Sequence, residues 1–413
     1  MDIDAGVHVG TTRRSPVLPA VDLDRLATRQ ALTRLGADAR AAGLHRIEIV
    51  AWRDLDDPEA GGSELHAHRV ASLWAAAGLE VTMRTSAVAG APEVVRRGGY
   101  RAVRRWGRYA VFPRTALRGL VGGRRRTDAV VEIWNGMPFL SPLWARRATR
   151  LVFLHHVHAE MWGMTLPPRL AALGDRIERR LAPPLYRRTR IVTLSASSRQ
   201  EIVSMLGMAP ERVHVVPPGI DGRFSPGAGR SADPLVVAVG RLVPVKRFPA
   251  LIDALAVAKR DVPALRAVIV GEGYARPVVE QAIAAHGATE WIELAGRCDD
   301  DELLALYRRA WVLASASQRE GWGMTVTEAA ACGTPAVATR IAGHADAVAH
   351  GVSGLLVDSP AELATALTAV LQDRVLRERL HRGALARAGE LTWEATALGT
   401  LQALLDEHRA RRG

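Results

Sequence analysis

The apolar positions of this chain fall into short continuous runs, and between the runs lie longer stretches with a helical period. Residues 46–52, RIEIVAW, form the first convincing strand, and they enter a turn-rich loop, DLDDPEAGGSE, that contains Gly61 and Gly62. An amphipathic helix over 64–77 follows and ends at Gly78, a residue suited to a left-handed cap, before the next strand at 79–84. Strand, Gly-Gly loop, helix and strand make one βαβ unit, with the glycines at the carboxyl edge, where open parallel sheets bind ligands. Further strands are predicted at 128–134, 150–154 and 190–194, with helices at 169–181 and up to Leu206, and residues 212–221 close this half. Ser197 or Ser198 is the expected cap of the latter, and Glu201 is available to complete a capping box.

The pattern then breaks at FSPGAGRSADP, rich in Gly, Pro and Ser, and restarts with strands at 235–239, 265–270, 291–294, 311–314 and 336–338. Residues 360–411 read as helical throughout, with Trp393 opening the last helix. Alternation of strand and helix in both halves predicts two doubly wound α/β domains. The expected organisation is a tail over 1–44 with a candidate helix but no chemistry, a first domain over 45–222, a linker over 223–233, a second domain over 234–390, and a final helix over 391–413.

Length agrees, because 413 residues exceed one ordinary hydrophobic core. No apolar run reaches the roughly 18–20 residues that span a bilayer, and the start of the chain lacks a secretory pattern. Cys298 and Cys332 are the only cysteines, so neither a disulfide framework nor a cysteine zinc site is expected. A cytoplasmic location is the simplest expectation, with membrane association as an addition suggested by charge. The net charge is +12, almost all of it from arginine, with Lys246 and Lys259 the only lysines. Eleven arginines between Arg96 and Arg126 alternate with Tyr100, Trp106, Tyr109 and Phe112. This segment reads as a solvated face or as a patch for anionic lipid headgroups; a nucleic-acid footprint is the weakest reading, and no nucleic-acid partner is expected.

The chemistry concentrates in SASQREGWGMTVTEAAACGTPAVATR, which starts at Ser315. Glu320 and Glu328 flank a turn containing Gly321 and Gly323, and Met324 and Thr325 open a helix. N–H groups at a helix start take phosphate, and carboxylates accept from sugar hydroxyls. Upstream, Gly240-Arg241 and Lys246 share one strand-to-helix loop, a cationic pair suited to a diphosphate, and another loop turns at Gly296-Arg297. The strand at 150–154 ends in His155, His156, His158 and Glu160, at an edge placed for a cleft; their spacing matches no familiar metal set, and no metal is expected. Gly271-Glu272-Gly273 follows a strand, but Arg276 stands where a dinucleotide fingerprint needs its third glycine.

Together these residues resemble glycosyltransferase family 4, the retaining nucleotide-sugar transferases of GT-B fold, over about residues 46–400: the Gly-Gly loop, the strand ending in histidine, VVPPGID, VGRLVPVKRF, VGEG and EGWGMTVTEAAACGTPAVA. The resemblance implies a UDP- or GDP-hexose donor, no required cofactor, and a hydroxyl acceptor on the first domain; the arginine and aromatic segment at 96–126 suggests that this acceptor is phosphorylated or lipid-linked. It implies that Arg241 and Lys246 hold the donor diphosphate, Glu320 the transferred sugar and Glu328 the ribose. Gly240, Gly296, Arg297, Gly321, Gly323, Met324 and Thr325 would line the donor, and Gly61 or Gly62 would reach its diphosphate. His155 or His156 would face the donor sugar, with His158 and Glu160 on the acceptor or sugar side. The final helix would cross back onto the first domain. A non-catalytic scaffold binding anionic membrane or polyanion, or a phosphorylase or epimerase on the same fold, is the alternative.

Overall fold

The computed structural model of the chain describes residues 20–121 and 127–412. Arg124, Arg125 and Arg126, and the predicted tail through residue 19, lie outside the described residues. The first sheet has eight strands: β1 (Arg46–Val50), β2 (Glu80–Thr85), β3 (Val94–Arg97), β4 (Tyr100–Arg104), β5 (Ala129–Trp134), β6 (Thr149–Leu154), β7 (Arg190–Thr193) and β8 (Val213–Val215). The second has six: β9 (Leu235–Val239), β10 (Arg266–Val270), β11 (Ile292–Gly296), β12 (Val312–Ser315), β13 (Ala336–Thr339) and β14 (Gly354–Val357). Their spatial orders are 3-4-2-1-5-6-7-8 and 11-10-9-12-13-14. Every pairing is parallel except the β3–β4 hairpin. All six residues of β5 are buried, as expected of a parallel strand covered by helices on both faces.

The last helix, Trp393–Ala410, leaves the second domain and completes the first. Ala397, Leu401, Leu404 and Leu405 lie in the first domain's core. The Trp74 indole N–H donates to Ala397 O at 2.9 Å, and Thr149 Oγ1 hydrogen-bonds His408 Nδ1 at 2.7 Å. The helix Ala20–Ala41 falls on the candidate helix of the 1–44 segment and packs into the first domain. Leu32, Leu35 and Ala39, spaced to share one helical face, are buried in the same core. Their partner helix stands more than 350 residues further along the chain, so the stripe had no local sign of a mate.

The arginine-rich segment is in large part paired with carboxylates. Arg97 and Arg104 reach the fully buried Asp54 at 3.0 and 2.9 Å. Arg108 pairs with Glu59 at 2.9 Å, Arg118 with Glu48 at 3.0 Å, and Arg105 with Glu93. Most of these charges are spent inside the protein on carboxylates from β1 and the loop after it. Arg96, Arg101 and Arg114 are exposed and form no ion pair among the described residues.

Candidate active site

Ligands of open α/β sheets bind outside the carboxyl ends of the strands, where the strand order reverses. The reversals fall between β1 and β5 in the first sheet and between β9 and β12 in the second. The loop after β1 carries Gly61 and Gly62, that after β9 carries Gly240 to Lys246, and that after β12 leads to Glu320. The loops meet across the cleft. A Cβ added to Gly62 would sit 2.9 Å from Met324 Sδ, and one added to Gly321 would sit 2.9 Å from His155 O. Gly321 has to be glycine because the contact is with backbone of the opposite domain, whereas the Met324 side chain facing Gly62 can move aside.

On the second-domain side, the Lys246 ammonium donates to Glu320 Oε1, which also accepts from Ser317 Oγ at 3.0 Å. Burial pushes the Glu320 carboxyl up, but Lys246, then His344, then Ser317 outweigh it and hold the group below the ordinary carboxylate range. Gly323 takes φ +95° at the N-cap of the helix Met324–Ala331, so the turn can point the first-turn N–H groups into the cleft. A Cβ on Gly323 would lie 2.8 Å from the His344 ring, which is itself fixed by Nδ1 to Thr339 O at 3.0 Å. Glu328 accepts from the Tyr307 hydroxyl at 3.2 Å; burial pushes its carboxyl up to about 7, with Asp221 adding to the rise. Arg241 is exposed at the cleft, where its charge adds a little to the lowering of His156 and His158 opposite that burial mainly causes. The Gly271-Glu272-Gly273 turn supports this loop: a Cβ on Gly271 would fall 1.9 Å from Gly240 O, and Leu242 N donates to Glu272 O at 2.9 Å.

The structure separates the three histidines. His155 is 4% exposed and turns into the first domain, with Nε2 3.2 Å from His66 Nδ1. Its ring therefore faces the core of the first domain and not the cleft. His156 lies against Gly321, where an added Cβ would stand 3.4 Å from its Nδ1, and its ring stacks on His158 with centroids 5.1 Å apart. Burial first, then the positive charge of Arg319, lowers His156 to about 4, against the pull of Glu320, so the imidazole is neutral at pH 7. His158 packs behind it on Gly136 and Trp162.

Two expected residues stand elsewhere. Glu160 is exposed and pairs with Arg319 at 3.3 Å, while Arg297 donates to Pro58 O at 2.5 Å, joining the domains at the cleft rim. Gly296, φ +71°, backs onto Glu272 Oε1, which a Cβ would approach to 3.0 Å. The sequence reading passed over a clasp beside Glu320. Arg319 donates from Nε to Val157 O at 2.8 Å and from Nη2 to Glu201 at 2.7 Å. Asp346 of the second domain accepts from Ala196 N and Ser197 N at 3.0 and 3.2 Å, at the start of the helix Ala196–Leu206. The cap of that helix is Ser195, which takes Ser198 N at 3.1 Å; Ser197 and Glu201, expected in local capping, serve the other domain. Their sequence signal was that of a capping box, and nothing local distinguishes the two uses.

Two doubly wound domains meeting at their switch points, with a lysine–glutamate pair on one wall and a neutral histidine on the other, define a GT-B protein. The model for glycosyl transferases group 1 matches residues 225–387, and that for glycosyltransferase family 4 matches residues 60–223. A D-inositol 3-phosphate glycosyltransferase of Salinispora arenicola is 30% identical over 400 residues, covering 83% of this chain and 87% of that protein. The Frankia alni protein of the same name is 29% identical over 392 residues, covering 83% of this chain and 94% of its own length. Sucrose-phosphate synthase from Thermosynechococcus elongatus shares the fold with a TM-score of 0.72 at 20% identity, over 87% of this chain and 98% of that one. Anabaena Alr3699/HepE, solved with UDP and glucose, does so at 0.68 and 18%, over 88% and 99%. The chain belongs to glycosyltransferase family 4 and is a glycosyltransferase.

Proposed function

We propose that the protein transfers a hexose, with retention, from a UDP- or GDP-sugar to a hydroxyl of a phosphorylated or lipid-linked acceptor held by the first domain. The observation that carries this reading is the Lys246–Glu320 pair, set beside the helix start at Gly323 and facing His156 across the cleft. Arg241 and Lys246 hold the donor diphosphate and offset the charge that grows on it as the glycosidic bond breaks. First-turn N–H groups at Met324 and Thr325, and Gly62 from the other side, add donors without a charge of their own, the Gly61 N–H being taken by Glu64 Oε2 at 2.9 Å. Glu320, with Oε1 already engaged by Lys246 and Ser317, accepts from sugar hydroxyls through its remaining lone pairs. Glu328 takes the ribose hydroxyls, and neutral His156 hydrogen-bonds the sugar from the first domain.

In the transfer step the acceptor hydroxyl oxygen bonds to the anomeric carbon as the bond to the diphosphate oxygen breaks, and the hydroxyl proton leaves with the departing diphosphate. The relatives named for D-inositol 3-phosphate favour a phosphorylated polyol as acceptor, and the HepE complex favours UDP as the nucleotide. A thermal-shift comparison of UDP, GDP and ADP tests the donor; UDP or GDP is expected to raise the melting temperature. Once sugars of the stabilising nucleotide have identified the donor, Glu320→Gln is expected to abolish transfer and to lower the melting temperature through loss of the Lys246 pair, with a cooperative transition showing that the fold is intact. Undiminished transfer by that variant would overturn the assignment.

A further inference from the structure

The histidine loop is pinned from behind by one buried carboxylate. Glu178 accepts from His158 N at 2.9 Å, Ala159 N at 3.3 Å and the Trp162 indole at 3.0 Å. It belongs to a nearly continuous helical run, Pro168–Arg176, Ile177–Leu181 and Pro183–Tyr186. The outer face of this run has the opposite character. Leu170, Leu173, Leu181 and Leu185 are 53, 51, 54 and 38% exposed, and their spacing follows the helical period into one stripe. Around them Arg169, Arg176, Arg180, Arg187 and Arg188 are exposed, and none forms an ion pair among the described residues. The acids of the run are already engaged: Asp175 pairs with Arg179 at 3.3 Å, and Glu178 faces inward.

An apolar stripe rimmed by unpaired arginines matches a layer with negative headgroups above an apolar interior. A second copy of this chain matches it poorly, because a two-fold contact would set arginine against arginine. We propose that the helical run from 168 to 188 docks the protein in plane on an anionic phospholipid surface, with the histidine loop directly behind the contact. This moves the lipid-facing surface away from the segment 96–126, whose described arginines are mostly paired internally. It gives a lipid-linked acceptor a short path to the cleft, and the docking itself does not depend on which donor the enzyme uses.

The test is flotation of the full chain with vesicles of phosphatidylcholine alone and of phosphatidylcholine with phosphatidylglycerol. Wild type is expected to float only with the anionic vesicles and to be released by salt. Reversal of Arg180, Arg187 and Arg188 to Glu is expected to weaken partitioning about tenfold or more, and the pair Leu173→Glu and Leu181→Glu to do the same. A UDP or GDP thermal shift retained in these variants certifies the fold; its absence in wild type and variants alike would count against the donor reading alone. The docking surface is refuted if wild type ignores anionic vesicles, or if the variants float as well as wild type does. It is equally refuted if the leucine variants merely dissociate a dimer.

Discussion

At the scale of single residues, neighbouring histidines receive opposite roles from the direction in which each ring turns. His155 faces His66 inside the first domain, and His156 faces the Glu320 loop. His155→Ala is expected to leave a cavity and an unpaired His66 nitrogen, costing about 2–4 kcal/mol, visible as a lower denaturant midpoint. His156→Ala is expected to leave that midpoint nearly unchanged and to lower kcat about a hundredfold or more. Glu328 predicts a pH dependence. Its folded pKa of about 7 exceeds the ordinary 4.5, so the fold prefers the protonated form. Stability is therefore expected to fall as pH rises from about 4.5 through about 7 and to level off above. Ribose hydroxyls donate to the ionised form, so nucleotide affinity should rise over the upper part of that window. Calorimetric titration of nucleotide against pH checks this, with a flatter profile expected for Glu328→Gln.

At the scale of elements, the Arg319 clasp connects the two walls of the cleft. Its three acceptors, Val157 O, Glu160 and Glu201, all belong to the first domain, and its own neighbour is Glu320. Each of these bonds contributes about 0.5–1.5 kcal/mol, more where a charge is desolvated. Arg319→Ala is expected to lower kcat about tenfold, to change nucleotide affinity little, and to increase the radius of gyration in small-angle scattering. The clasp also shows which information the sequence carried openly. Strand β9 is a continuous apolar run and β5 is broken only by Glu132, and Gly61-Gly62, Gly240-Arg241 and Gly323 stand at strand ends and helix starts, so local periodicity revealed both elements and loops. Arg319, Asp346 and Glu178 were illegible because each is an ordinary charged residue whose partner in the other wall or loop lies 118, 150 and 20 residues away, respectively. The arginines at 97 and 104 misled for the same reason: Asp54, which neutralises them, sits in a distant loop.

At the scale of the whole molecule, the two domains are not built from two consecutive halves of the chain, because the helix Trp393–Ala410 belongs to the core of the first. Removal of residues 393–412 is expected to uncover that core and strand the Trp74 indole N–H. The truncated protein should lose its cooperative melting transition and aggregate, as scanning calorimetry and gel filtration would report. The same helix sets a timetable for biosynthesis. At about 5–20 residues per second, a ribosome takes on the order of ten to forty seconds to pass from the end of the first domain's sheet to its last core helix. Throughout that interval Trp74 and the face beneath it wait for a segment still being synthesised, while the second domain can already close. The first domain to leave the ribosome is thus the last to finish folding, and it is the one most in need of a chaperone's cover.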